Sequence, residues 1–137
     1  MITKHAPSFP VSIFIAGDPG EARRICRQFC DEEGLCVTVT PTTYVYTGGE
    51  EAGVIVGLIN YPRFSAGPRA IETKARSLGM LLKAELGQES FSIQTPTETT
   101  WFSWREADNT PDRSGEADKT GTGLAEGESG LPEGSSN

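Results

Sequence analysis

Residues 35–61 read LCVTVTPTTYVYTGGEEAGVIVGLINY, and this stretch decides the fold. Its first half, residues 35–46, alternates apolar and polar residues with the period of two that is typical of a half-buried strand. Its second half, residues 52–61, is almost continuously apolar, as in a central strand. The sequence between them, Thr47-Gly48-Gly49-Glu50, has strong turn chemistry. The stretch therefore predicts a β-hairpin, in which Pro41 marks an edge position or a bulge.

A strand and a helix precede the hairpin. Residues 11–16, VSIFIA, have the β-branched and aromatic composition of a buried strand. Asp18, Pro19 and Glu21 follow with the spacing of a capped helix start, and Gly34 is a natural stop. One apolar stripe at helical spacing runs between them and consists of Ala22, Ile25, Cys26, Phe29 and Cys30.

A second helix and two short strands follow the hairpin. Residues 68–86 carry apolar residues at helical spacing. Gly79 weakens this helix by about 1 kcal/mol relative to Ala, or it permits a close approach to the sheet. Residues 91–95 and 99–104 then have the composition of strands, with a turn between them.

The predicted order of elements is β-α-β-β-α-β with an extra C-terminal strand. This is the order of the ferredoxin-like split β-α-β fold, an α+β fold in which an antiparallel sheet carries two helices on one face. Right-handed crossovers make this packing the natural closure of such a chain. The other sheet face is then open to a partner, a second subunit or a ligand. The alternative is another small α+β sheet with the same order of elements and different strand pairing.

Composition divides the chain into three parts. Residues 1–10 form a polar lead-in, residues 11–104 form a single α/β domain, and residues 105–137 are rich in Gly, Ser and acidic residues. The last part contains eight acidic and three basic residues, so it carries −5 of the formal net charge of −7. It holds too few large apolar residues to offset its ordering entropy, which predicts a disordered acidic tail.

The sequence predicts a cytoplasmic protein that does not enter a membrane. It contains neither the ~18 consecutive apolar residues of a membrane span nor a charged-then-apolar signal segment at its start. Its three cysteines, Cys26, Cys30 and Cys36, are odd in number. We therefore expect free thiols in a reducing compartment.

No motif for catalysis, a metal or a cofactor stands out. Cys26 and Cys30 lie on the apolar stripe, where cysteine packs as a small hydrophobic residue, and a second pair of zinc ligands is missing. His5 is the only histidine, and the Gly-x-Ser-x-Gly and Walker A patterns are absent. Glu50 and Glu51 are adjacent, so they point to opposite faces of a strand as solvated hairpin charges. We predict no catalytic residue, no metal and no cofactor.

Aromatic, amide and guanidinium groups concentrate where the chain leaves the hairpin, in Asn60-Tyr61-Pro62-Arg63-Phe64. Tyrosine, phenylalanine and arginine are enriched at protein interfaces. Tyr44, Tyr46 and Trp101 would join this segment in one recognition platform if they lie on the open sheet face. The sequence is equally compatible with aromatic side chains that pack at the ends of the sheet. The candidate binding residues are Asn60, Tyr61, Arg63, Phe64, Tyr44, Tyr46, Trp101, Asp18 and Thr95.

The sequence argues against nucleic-acid binding. Residues 1–104 carry −2 of the net charge, so we expect no broad basic face. One RNA-binding module stacks bases on a four-stranded sheet through a basic-aromatic run. No predicted strand matches that run, and residues 54–59 contain no aromatic residue. The acidic tail would also repel a polyanion.

Two functions of different classes are compatible with these observations. The absence of catalytic motifs favours a small non-enzymatic module that binds a protein partner, or a second copy of itself as a homodimer, through the open sheet face. This profile is typical of accessory proteins of bacteria and their phages. The alternative is a domain that binds a nucleotide or an amino acid, or a minor enzyme, through its strand-end loops. Asp18, Arg63 and Thr95 would then be polar anchors near Tyr61 and Trp101.

Overall fold

The computed structural model describes residues 1–109. These residues form five strands and two helices, in the order β1 (Val11–Ala16), α1 (Pro19–Glu33), β2 (Thr38–Tyr46), β3 (Gly49–Leu58), α2 (Pro68–Glu85), β4 (Ser90–Gln94) and β5 (Thr99–Ser103). Two short 3-10 turns, Pro62–Phe64 and Glu106–Asp108, follow β3 and β5.

All five strands belong to one antiparallel sheet with the order β2-β3-β1-β4-β5. The first four strands have the order of the ferredoxin-like split β-α-β fold, and β5 extends the sheet beside β4. Both helices contribute to a single core with the buried side chains of the strands, so they cover the same sheet face. The predicted α+β fold, including its extra C-terminal strand, is confirmed.

The core forms where the inward residues of the central strands meet the helices. These inward residues are Val11, Ile13 and Ile15 of β1 and Val54, Val56 and Leu58 of β3. Ile25 from α1 and Leu78 and Leu82 from α2 are fully buried with them. Removing such a side chain from water contributes about 1.5–3 kcal/mol, so this packing determines which sheet face is left open.

Helix α1 begins and ends at the predicted residues. The Asp18 carboxylate accepts a hydrogen bond of 2.8 Å from the Glu21 N–H, and Pro19 occupies the first turn. Gly34 ends the helix with a left-handed φ of 67°. The Gly34 N–H donates to the Cys30 carbonyl over 2.9 Å. The Asp18 side chain therefore serves the helix rather than a ligand.

The hairpin of β2 and β3 pairs without a bulge. Thr38 lies opposite Gly57, Tyr46 lies opposite Gly49, and each residue between them has one partner. Pro41 lies opposite Val54 on an edge strand, so the edge interpretation of this proline is the correct one. The strand begins at Thr38 rather than at residue 35 because the chain is still turning after α1.

The segments that flank the strands contact the domain. Residues 1–10 contain no helix or strand, but Phe9 packs against the core and the Pro7 carbonyl accepts a hydrogen bond from Asn60. At the other end, Arg105 and Asp108 form an ion pair of 2.7 Å. The rest of the predicted tail, residues 110–137, lies outside the described residues. Within residues 1–109, neither helix combines the length and the apolar character needed to cross a bilayer.

Gly79 permits the close approach of α2 to the sheet, because a Cβ atom there would lie 2.5 Å from Cε2 of the buried Phe91. We expect Gly79→Ala to lower the free energy of unfolding by about 1–3 kcal/mol, despite the higher helix propensity of Ala. Urea denaturation measures this change. In a Phe91→Leu background, which removes the ring, the same substitution should be close to neutral. A Gly79→Ala variant that is more stable than the wild type would contradict the contact.

Candidate functional site

The open face of the sheet consists of rows of residues that the strand register places side by side. Side chains alternate along each strand, so the residues between the buried ones face away from the helices. The first row, at the Val11 end of β1, contains Thr38, Gly57, Ser12, Gln94 and Thr99. The second row contains Thr40, Ile55, Phe14, Ser92 and Trp101. The third row contains Thr42, Gly53 and Ala16. Small and hydroxyl-bearing residues therefore dominate this face.

The second row contains a gap between two aromatic side chains. Phe14 on β1 and Trp101 on β5 flank Ser92 on β4. Neighbouring strands are about 4.8 Å apart, so Phe14 and Trp101 project from backbones roughly 10 Å apart. The small Ser92 side chain leaves room for a flat ring between them. We call these three residues the aromatic slot, and Ile55 extends its apolar surface on the other side of Phe14.

The chain that follows β5 supports Trp101. The Arg105 guanidinium lies 5.8 Å from the centroid of the Trp101 ring. Arg105 Nε and Ser103 Oγ each donate a hydrogen bond of 2.7 Å to Asp108 Oδ2. Because this network holds Arg105 against the indole, Trp101 keeps its place at the edge of the slot while 48% of it is exposed.

A second group of functional side chains lies on the same face, beyond the Ala16 end of β1. We call Tyr44, Tyr46 and Glu51 the tyrosine–glutamate patch. Glu51 lies opposite Tyr44 across the hairpin, and Tyr46 Oη donates to Glu51 Oε1 over 3.3 Å. Aromatic faces and a carboxylate are the groups that attract an organic cation. The patch is therefore suited to a positively charged ligand.

Tyr44 is held in one position by its neighbours. A Cβ atom at Gly53 would lie 2.4 Å from Tyr44 Cε2, so the ring lies directly over that glycine. Its hydroxyl donates to the Val54 carbonyl over 2.6 Å. Burial raises the pKa of the Tyr44 phenol well above its ordinary value of 10.0. Tyr44 is thus a neutral, fixed ring at the inner border of the patch.

The Asn60–Phe64 segment lies at the opposite end of the sheet, since Leu58 pairs with Val11. Asn60 is buried and holds the loop: its Nδ2 donates to the Pro7 carbonyl, and its Oδ1 accepts from the Ala66 N–H, both over 2.9 Å. Tyr61 and Phe64 stack with ring centroids 5.4 Å apart. Arg63 is exposed beside them. This end of the molecule combines a structural amide with a small aromatic surface.

The three polar anchors expected for a small molecule do not meet. Asp18 follows the Ala16 end of β1, whereas Arg63 and Thr95 follow β3 and β4 at the Val11 end. Thr95 Oγ1 is engaged within its own turn, where it accepts from the Glu98 N–H over 3.2 Å. The structure brings Tyr61 and Phe64 together, and it places Tyr44, Tyr46 and Trp101 on one face. It separates Asp18 from Thr95 by the length of the sheet.

Residues 1–109 contain no group of three or more His, Cys, Asp and Glu side chains that could hold a metal ion. Cys26 is 2% exposed and packs in the core, as the apolar stripe predicted. Burial raises the pKa of its thiol to about 11, which keeps it protonated.

No family model and no curated protein matches the sequence. The fold does match solved structures. A phage SAM lyase in its apo state superimposes with a TM-score of 0.59 and 16% sequence identity, over 77% of this chain and 99% of that chain. A phage SAM lyase in complex with S-methyl-5'-thioadenosine gives 0.56 and 16%, over 77% and 98%. A de novo designed protein with a ferredoxin fold matches with a TM-score of 0.32. At these identities the likeness shows a shared fold.

These comparisons contradict the expectation of a non-enzymatic interaction module. Both structures with TM-scores above 0.5 are of an enzyme, and one of them holds a small nucleoside. The small-molecule alternative agrees better with them, although its polar anchors do not converge. Both neighbours are phage proteins, and the expectation of a bacterial or phage accessory protein stays a prediction for this chain. Self-association as a homodimer, or binding of a protein partner, stays a prediction.

Sequence reasoning missed four residues of the aromatic slot, its border and the tyrosine–glutamate patch: Phe14, Ile55, Ser92 and Glu51. Phe14 and Ile55 were missed because the nearly continuous apolar composition of β1 and β3 predicts strands that are buried on both sheet faces. Glu51 was interpreted as a solvated hairpin charge. The register of the hairpin turn could have placed Glu51 beside Tyr44 and Tyr46, since a two-residue loop determines which residues lie opposite each other.

The raised pKa of Tyr44 predicts a specific pH dependence of stability. The unfolded chain loses this phenolic proton near pH 10, while the folded protein keeps it to higher pH, so its contribution to stability declines as pH rises above about 10. Tyr44→Phe should lower the free energy of unfolding by about 0.5–1.5 kcal/mol at neutral pH, because the bond to Val54 is lost. We expect the difference between wild type and variant to shrink above pH 10 in urea denaturation. A difference that stays constant to pH 11.5 would contradict this role.

Proposed function

We propose that the protein is an enzyme that binds S-adenosylmethionine on its open sheet face and releases S-methyl-5'-thioadenosine from it. One observation carries the proposal: a slot for a flat ring and a patch for a cation lie on the same sheet face. S-adenosylmethionine combines a flat base, a ribose and a positively charged sulfonium. The fold shared with a phage SAM lyase supports this class of substrate.

The aromatic slot suits the adenine base. Phe14 and Trp101 offer two aromatic faces, and stacking of a base on an aromatic side chain is worth about 1–3 kcal/mol. Ser92 at the bottom of the slot is small enough to let the base enter and carries a hydroxyl for its ring nitrogens. Thr40 and Thr42 on β2, two strands away from Phe14, carry further hydroxyl groups on the same face for the ribose.

The tyrosine–glutamate patch suits the sulfonium. Ile55 and Glu51 are four residues apart on β3, a distance of about 13 Å. The Tyr44 ring reaches back over Gly53 and shortens the gap between slot and patch. The Tyr44 ring over Gly53 lies one strand and two residues from Phe14, roughly 8 Å. An S-adenosylmethionine whose base stacks on Phe14 therefore places its sulfonium beside Tyr44, with Glu51 two residues beyond Gly53 on β3.

The chemistry assigns Glu51 to binding rather than to bond cleavage. When the bond between sulfur and the amino-acid chain breaks, the electron pair goes to sulfur, and the positive charge on sulfur disappears in the neutral thioether product. The carbon that loses sulfur gains a bond from the carboxylate of the same substrate, so the amino-acid fragment leaves as a lactone and no second reagent is needed. A carboxylate beside that charge therefore stabilises the bound substrate more than the transition state. Glu51 should select the cationic substrate over its neutral product and thereby favour product release.

Turnover tests the proposed function directly. Purified full-length protein is incubated with S-adenosylmethionine, and S-methyl-5'-thioadenosine is quantified by liquid chromatography and mass spectrometry. We expect Glu51→Gln to raise KM about tenfold, equivalent to about 1.4 kcal/mol, without lowering kcat. Glu50→Gln is the matched control, because Glu50 lies opposite Val45 and points to the other face of the hairpin.

Each outcome of this assay bears on a different part of the proposal. If the wild type forms no S-methyl-5'-thioadenosine above a no-enzyme blank, the proposed reaction is wrong. If Glu51→Gln lowers kcat and leaves KM unchanged, the reaction stands but the cation does not bind at the patch. Equal effects of the Glu50 and Glu51 substitutions would point to bulk charge rather than to a site.

The two tryptophans allow an independent test of where the nucleoside binds. Trp101 lies on the open face, whereas Trp104 stacks on Phe91, with centroids 5.9 Å apart, on the helix side of the sheet. In Trp104→Phe, S-methyl-5'-thioadenosine should change the fluorescence of the remaining Trp101 in a saturable way. In Trp101→Phe, the remaining Trp104 should not respond. A response of Trp104 alone would place the ligand away from the aromatic slot.

A further inference from the structure

The Cys36 thiol contacts the Tyr61 phenol between the end of α1 and the start of β2, and Cys30 lies in the last turn of α1. The Cys36 thiol donates a hydrogen bond to Tyr61 Oη over 3.4 Å. Contact with Cys36, more than burial, raises the pKa of the Tyr61 phenol, and the charge of a Cys30 thiolate raises it further. These side chains lie outside the aromatic slot and the tyrosine–glutamate patch. The proposed function makes no use of them.

The turn after α1 brings Cys30 close to Cys36, although six positions separate them in the sequence. The N–H groups of Gly34 and Leu35 both donate to the Cys30 carbonyl, over 2.9 and 3.2 Å, and this reverses the chain. Burial raises the pKa of the Cys30 thiol, and the Val37 backbone N–H near it opposes that rise. Because Val37 directly follows Cys36, the Cys30 sulfur lies beside the backbone of Cys36. A disulfide requires Cα atoms roughly 4.4–6.8 Å apart, and the reversal of the chain after α1 brings the two cysteines toward this range.

Stepwise oxidation requires one exposed thiol that reacts first and a second, less exposed thiol nearby, and Cys36 and Cys30 differ in this way. Cys36 is exposed and can meet a reagent in solution, whereas Cys30 is partly buried behind it. Tyr61 Oη accepts a hydrogen bond from the Cys36 thiol. Once Cys36 is deprotonated, the same hydroxyl can donate a hydrogen bond to the thiolate, which is the form that reacts as a nucleophile. Cys26 is buried in the core and is shielded from both reagents and partners.

We propose that Cys36 and Cys30 form an oxidisable pair that a hydroperoxide converts to a reversible intramolecular disulfide. The Cys36 thiolate attacks one oxygen of hydrogen peroxide, the O–O bond breaks, and the leaving hydroxide takes up a proton as water. The sulfenic acid on Cys36 is then attacked by the Cys30 sulfur. The S–O bond breaks, hydroxide leaves and takes the thiol proton, and a second water forms. The two sulfurs together lose two electrons, which reduce the peroxide.

The disulfide changes the loop that carries Tyr61. Rotation of the Cys36 sulfur toward Cys30 removes it from Tyr61 Oη, and the Tyr61–Phe64 stack loses its contact with the segment between α1 and β2. The covalent bond also joins the end of α1 to the start of β2. Oxidation would therefore change the conformation of the loop at the Val11 end of the sheet, which is distant from the tyrosine–glutamate patch.

Peptide mapping of the full-length chain tests the proposal. The reduced protein is treated with a small excess of hydrogen peroxide, unreacted thiols are alkylated in guanidinium chloride, and the protein is digested with trypsin without reduction. Trypsin leaves Cys30 and Cys36 together in the peptide of residues 28–63 and separates Cys26 from them, because no Lys or Arg lies between Arg27 and Arg63. We expect that peptide to lose two hydrogens, about 2 Da, unalkylated, and to regain them with dithiothreitol.

Cysteine variants separate the proposed pair from other oxidation. Cys26→Ser is the matched control and should form the disulfide as the wild type does. In Cys30→Ser, the oxidation of Cys36 should stop at the sulfenic acid, which dimedone traps. The proposal is overturned if wild-type Cys36 proceeds to sulfinic acid without the loss of two hydrogens. It is also overturned if the disulfide joins two molecules or includes Cys26.

Discussion

The structure depends on one constraint: the inward face of β1 and β3 must be buried beneath both helices. Six aliphatic side chains of these two strands are almost completely removed from water. Each contributes about 1.5–3 kcal/mol, and a shift of the register by one residue would expose all of them. That loss is comparable with the ~5–15 kcal/mol by which a typical domain is stable. The positions of Phe14, Ile55, Glu51 and Trp101 on the other face follow from this burial rather than from contacts of their own.

Much of the fold could be predicted because its signals are local. The Asp18 cap and the Gly34 stop each depend on a few neighbouring residues and are present as expected. The predicted hairpin is present too, but its turn is shorter than expected, because β3 begins at Gly49 and only Thr47 and Gly48 lie between the strands. The composition of β2 did not reveal whether Pro41 marked an edge or a bulge, since proline lacks a backbone N–H and both positions tolerate that loss. Only pairing along the whole strand distinguishes them. The sequence alone therefore could not determine on which sheet face the Tyr44 side chain lies.

The candidate site was harder to predict because its groups come from different strands. Phe14, Ser92 and Trp101 are far apart in the sequence and become neighbours only through the order β1-β4-β5. Asp18 and Thr95 were grouped as anchors without regard to strand direction. Because β1 and β4 are antiparallel, these two residues lie at opposite ends of the sheet. The absence of a catalytic motif also favoured a non-enzymatic function. That inference underestimates enzymes whose task is to position a substrate that already carries a reactive, positively charged group.

The place of Pro41 in the outer strand has a consequence for how copies of the sheet can join. An edge strand normally offers a row of backbone donors to any incoming strand. On β2 that row is broken at its centre, because proline has no N–H to offer. The other outer strand, β5, has no proline. A sheet with one receptive edge can join a second copy edge to edge, but the joined pair presents only its two blunted edges. Because each of those edges lacks a backbone donor at Pro41, addition of further copies is disfavoured.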